Sequence, residues 1–126
     1  MLNNLIIKRR EINMNVYDTA NRLSQELKQS EEYVNYKMAK QVINMKPDIK
    51  QKIKDFSKEK YDLQVETIQT GKNDEEKLKK IQKDYEDIVE YDEGKKYFEA
   101  EAKFNLLLGD VNKIIGEGIK DVLSQI

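Results

Sequence analysis

Carboxylates, lysines and tyrosines are the reactive groups in plentiful supply in this 126-residue chain, which holds 24 acidic and 23 basic residues, 7 tyrosines, no histidine and no cysteine. General acid–base work near neutral pH leans on histidine, and a serine or cysteine nucleophile needs a neighbouring base. Neither arrangement can be assembled here. A carboxylate-only metal centre would be the remaining route, yet a di-iron helical bundle needs Glu-x-x-His pairs turned into its core. In this chain the acids share wet faces with lysines. Gly116, Glu117 and Gly118 follow no strand, so they do not form a nucleotide-binding loop. No catalytic residue, metal site or cofactor is expected, and the chemistry on offer is recognition.

Two patterns could serve recognition. Between Lys46 and Lys60 there are six lysines against three acids, whereas Asp74 to Glu93 holds nine acids against four lysines. The two segments should attract each other within the chain. A weak basic face for RNA, built on Lys46, Lys50, Lys52 and Lys54 with Lys37 and Lys40, is the functional alternative. A sequence pI near 5.7 argues against tight binding of nucleic acid. The second pattern is aromatic. Tyr33, Tyr36, Tyr61, Tyr85, Tyr91 and Tyr97 combine apolar area with a polar tip, which suits both a wet core edge and an interface.

Helices must position these groups. Hydrophobic residues make up 38% of the chain and charged residues 37%, with one proline, five glycines and no tryptophan. That balance favours long helices and an all-α protein of about five helices. Val16, Ala20, Leu23 and Leu27 predict a one-faced helix over residues 15–29. Ser30 ahead of Glu31 and Glu32 predicts a cap for a second helix to about Met45. Pro47 ends that helix and opens a third, whose stripe is Ile49, Ile53, Phe56 and Leu63. Gly71 terminates it, and Asn73 with Glu76 resembles a capping box for a fourth helix through Leu78, Ile81, Tyr85 and Ile88. A helical hairpin follows, with Glu75–Lys79 and Glu76–Lys80 pairs expected on its wet side.

The last third, capped by Asp92, reads as one amphipathic helix from Glu93 to Ile126. Phe98, Phe104, Leu107, Leu108, Val111, Ile114, Ile115 and Ile119, continued by Val122 and Leu123, are too many for one partner surface. Such a helix would be roughly 50 Å long, whereas a compact domain of this size spans about 35 Å. Either it protrudes or it packs against a second chain, so a homo-oligomer is expected, dimer or higher. Gly116 and Gly118 mark a close helix contact or a fraying end.

The chain begins MLNNLIIKRREINM, and residues 8–11 can be encoded by a purine run like a ribosome-binding site three codons before Met14. Residues 1–13 are therefore expected as an N-terminal extension, either upstream of a natural start at Met14 or, over residues 1–12, a genuine basic and partly apolar arm, with 14–126 as one helical domain. The longest apolar stretches fall far short of the roughly 20 residues of a membrane span. A cytoplasmic protein with no membrane contact is expected.

Two stretches are specific enough to compare: NVYDTANRLSQELKQSEEYVNYKMAKQVI from Asn15 and KKYFEAEAKFNLLLGDVNKIIGEGI from Lys95. They resemble the YlbF/YmcA family of bacterial helical proteins, and look most like its YheA branch. The resemblance starts at Met14 and covers nearly the whole chain. It implies an all-helical, cytoplasmic homo-oligomer without enzymatic activity, acting as an interaction or adaptor protein with a protein partner. For YlbF and YmcA it implies accessory roles in messenger-RNA processing by a membrane-anchored ribonuclease. This chain has no cysteine for the iron–sulfur clusters of that complex, while the YheA branch has no assigned function.

Overall fold

The computed structural model describes residues 2–125, with side chains described from 15 to 125. Its six helices are α1 (Leu2–Gln29), α2 (Glu31–Asn44), α3 (Pro47–Thr70), α4 (Glu75–Val89), α5 (Asp92–Gly118) and the short α6 (Lys120–Leu123). The described residues contain no strand. The chain divides into two compact units, Met1–Val34 and Asn35–Ile126.

In the first unit α1 begins at Leu2 rather than near Asn15, running through the expected boundary at Met14. Ser30 closes one helix and opens the next. Its hydroxyl donates to the Leu27 carbonyl at 2.6 Å and accepts the Tyr33 amide at 3.1 Å, satisfying a stranded group at each helix end. Glu31 and Glu32 fill the first turn of α2, where the helix dipole favours negative charge.

The second unit holds the core. Pro47 starts α3 at a position where its missing amide costs nothing. Ile43, Ile49, Ile53, Phe56 and Ile88 are buried together, with Ile81, Tyr97 and Phe98 packed against them. Phe98 meets Phe56 edge-on with ring centres 5.5 Å apart and lies 5.1 Å from Tyr85, offset arrangements that suit the quadrupoles of aromatic rings. Ile49, Ile53 and Phe56 of the stripe predicted for α3 and Ile81 and Ile88 of that predicted for α4 thus meet in one seam, joined by the start of α5, while Leu78 is 46% exposed. Gly71 ends α3 at φ 70°, a left-handed position in which a Cβ would be strained.

Local details differ from the expected ones. The cap of α4 is Asp74, not Asn73: its carboxylate accepts the Lys77 amide at 3.2 Å. Adjacent acceptors of the same kind left the sequence pattern one residue ambiguous. At the start of α5 the capping position is Tyr91, in an extended conformation, and Asp92 already belongs to the helix. The last helix is not continuous to Ile126, which lies outside the described residues. It stops at Gly118, and Ile119 leaves helical geometry at φ −122° and ψ 14° before the short α6. Two glycines within the closing turn of α5 weaken helix propagation where no neighbour supports it. Among the described residues no other element comes within 4 Å of where a Cβ on Gly116 or Gly118 would sit, so no close helix contact is made with them there.

The close approach is instead at Gly94. It is buried in the first turn of α5, and a Cβ there would run into the Ile88 carbonyl oxygen and come within 2.8 Å of Ile88 Cγ2. Ile88 is the most buried residue of the core, at 1% exposure. A glycine at this corner lets α5 set out directly over it.

Candidate functional site

The apolar stripe of α5 changes character along its length. Phe98 is packed against the core. Phe104 is half-buried, with its ring 5.8 Å from that of Tyr36 on α2. Leu107, Leu108 and Val111 are half-buried as well, but Ile114, Ile115 and Ile119 are 72%, 50% and 47% exposed. Steps of four, three and four residues from Phe104 through Leu108 and Val111 to Ile115 keep these side chains near one line, and Ile119 follows just past the helix end. The inner part of that line is half-buried and its outer part is exposed. Leu106, absent from the expected stripe, is 66% exposed on another side of the helix.

Tyr36 fastens α2 to the inner part. Its ring lies 5.7 Å from that of Tyr97, its hydroxyl donates to Glu101 Oε2 at 3.1 Å, and Lys40 Nζ sits 4.6 Å above its ring centre. Burial, aided by the Tyr97 hydroxyl and the Glu101 carboxylate, raises the Tyr36 pKa well above the ordinary tyrosine range. Burial likewise raises that of Tyr97. Both therefore stay neutral at physiological pH and offer a hydrogen-bonded polar seam, not a base. The importance of Glu101 was not apparent from spacing, because its partner lies 65 positions away in sequence.

The charge complementarity anticipated between α3 and α4 exists, but much of it runs the other way. Lys77 and Lys80 of α4 reach Glu66 and Glu59 of α3 at 2.7 Å and 2.6 Å. Lys80 also bonds Asp84 at 3.2 Å, and among the described residues neither Glu75–Lys79 nor Glu76–Lys80 forms an ion pair. Bonds to Glu66 and to Glu59 are the main reason the two lysine pKa values are raised.

The four lysines considered as an RNA face do not stay together. Lys46 is paired with Glu93 at 2.7 Å, and this bond holds the Glu93 carboxyl below its ordinary range. Lys52 points toward the α4–α5 corner, with its Nζ 3.3 Å from the Tyr91 hydroxyl and 5.0 Å from the centre of that ring. It borders a groove of about 210 Å³ between α3 and α4, shared with Asp55, Glu59 and Lys80. Lys50 and Lys54, roughly 160° or more around the helix from Lys52, have no ion-pair partner among the described residues. Tyr91 is the cation–π and hydrogen-bond partner of Lys52, a pairing 39 positions apart that sequence spacing does not specify.

No group of three or more acidic side chains among the described residues could hold a metal ion. No helix there is long and apolar enough to cross a membrane.

An all-helical scaffold with a hydrogen-bonded aromatic seam is the class of protein these features define. The family described as "Control of competence regulator ComK, YlbF/YmcA" matches residues 16–120, and the chain belongs to that family. Its relatives include UPF0342 proteins from three bacteria. That of Symbiobacterium thermophilum is 35% identical over 82% of this chain and 93% of its own length. That of Clostridium novyi is 32% identical over 86% of this chain and 95% of its own. That of Desulfitobacterium hafniense is 30% identical over 87% and 89%.

Proposed function

We propose that the chain is a non-enzymatic helical adaptor, cytoplasmic as the family resemblance implies, that assembles with a second copy of itself and regulates another macromolecule by binding it. The family's description as a control element for a competence regulator supports the regulatory part. The observation that carries the assembly part is the exposed outer end of α5, where Ile114 and Ile115 continue a stripe whose inner residues are half-buried, with Ile119 exposed just past the helix end. Completing the burial of each isoleucine would contribute on the order of 1–2 kcal/mol per subunit.

Sedimentation velocity at tens of micromolar tests this reading. The expected result is a dimer or larger species for the native chain and a folded, lighter species for Ile115→Asp. A native chain that sediments as a monomer overturns it. Messenger-RNA processing through a lysine face ranks lower, since Lys46 and Lys52 are engaged within the chain.

A further inference from the structure

We infer that one flank of α3, formed by Lys50, Lys54, Lys58, Tyr61, Val65 and Ile68, is a docking face for an acidic amphipathic helix of a partner protein. It rests on the reading that the chain acts by binding, and it uses a surface separate from the exposed outer end of α5. Helical spacing puts these six residues within about 80° of one another around the axis. All five acids of α3 (Asp48, Asp55, Glu59, Asp62 and Glu66) fall on another flank, where Glu59 and Glu66 receive the lysines of α4. Of the charges α3 itself carries, the docking flank thus holds only lysines.

Two of its three apolar members are bare. Ile68 is 83% exposed and Tyr61 66%, while Val65 between them is half-buried. Among the described residues Lys50, Lys54 and Lys58 have no ion-pair partner. Steps of four residues separate the lysines, and steps of four and three join Tyr61 to Val65 and Ile68. The flank therefore runs about 27 Å along the helix, basic over its first half and apolar over its second. A partner must bring carboxylates to one half and aliphatic surface to the other, which a helix with acids on one end of its inner face and leucines on the other does. RNA would satisfy the lysines but leave Val65 and Ile68 uncovered. A membrane-surface helix separates apolar and basic residues around its axis, whereas here they share one side and follow one another lengthwise.

The test uses the full chain and a fluorescein-labelled synthetic helix with glutamates along one half of its face and leucines along the other. A twin carrying glutamines in place of the glutamates is the control. Fluorescence anisotropy is expected to show saturable binding of the acidic helix that weakens with salt. Binding should weaken about tenfold or more for the triple variant Lys50→Glu, Lys54→Glu, Lys58→Glu, for Ile68→Ser, and for the glutamine twin. The substituted side chains are largely solvent-facing, so far-UV circular dichroism should be unchanged. Ile115→Asp should still bind. Absence of saturable binding, or binding indifferent to the lysine variant, overturns the inference while leaving α5 assembly standing. A native chain that is monomeric yet binds the helix overturns the assembly and leaves this face standing. A smaller sedimenting species caused by the lysine variant would reassign the flank to a second copy. Binding of oligouridylate RNA or phosphatidylserine vesicles, without binding of the acidic helix and abolished by the lysine variant, would reassign it to those surfaces. Either result overturns the inference.

Discussion

The Tyr36 hydroxyl on α2 donates to the Glu101 carboxylate on α5 at 3.1 Å, inside a cluster in which the Tyr36 ring also meets Tyr97 and Phe104. Tyr36→Phe removes the hydrogen bond and keeps the ring. It should lower unfolding free energy by about 1 kcal/mol, with an unchanged slope in urea denaturation. Tyr36→Ala also removes the ring contacts and should cost more.

Alkaline pH should weaken the fold, and Tyr36 should account for part of it. Its folded pKa is raised above the ordinary 10.0, chiefly by burial. Above pH 10 the unfolded chain has released this proton while the folded chain still holds it, so unfolding is favoured as pH rises. Lys77 and Lys80, raised above 10.5 by Glu66 and Glu59, act in the same direction. Below neutrality the sign reverses: Glu93 is held below its ordinary 4.5 by Lys46, so stability is lost as pH falls through that range. Thermal unfolding across pH should show a plateau between these limits, and Tyr36→Phe should flatten its alkaline shoulder.

Two glycines of α5 should respond oppositely to alanine. At Gly94 a methyl group would meet the Ile88 backbone, and overpacking should cost about 1–3 kcal/mol. At Gly109 no other element among the described residues comes within 4 Å of the added methyl, and relief of glycine's entropy should stabilise the helix by about 0.5–1 kcal/mol. Chemical denaturation of the two variants distinguishes the positions.

Ile88→Ala should be among the most damaging aliphatic truncations. Ile88 is 1% exposed within the seam of Ile43, Ile49, Ile53 and Phe56. A loss of about 2–5 kcal/mol in urea denaturation is expected. A loss below that range would show that α4 collapses into the space.

Much of the fold is legible because it is locally encoded. Pro47, Ser30 and Gly71 fix their boundaries through single-residue backbone chemistry, and the four-three spacings of α3 and α4 give the buried faces. The cap at Asp74 and the end of α5 at Gly118 escape because neighbouring residues offer nearly equal alternatives. Partner choice escapes for a different reason. Whether Lys80 reaches Glu59, or Lys52 reaches Tyr91, depends on the register of one helix against another, which no local pattern specifies. The lysines between residues 46 and 60 look like one group in sequence, but helical rotation sends Lys52 toward α4 and leaves Lys50 and Lys54 outside.

The Gly71 turn also bears on how quickly the chain folds. With α3 doubled back on α4, and α4 leading directly into α5 through the Gly94 corner, much of the core forms between elements adjacent in sequence. Short loops close at little entropic cost, and domains dominated by such near-neighbour contacts reach their native state in microseconds to milliseconds. The Tyr36–Glu101 bond, spanning 65 positions, would form among the last native contacts.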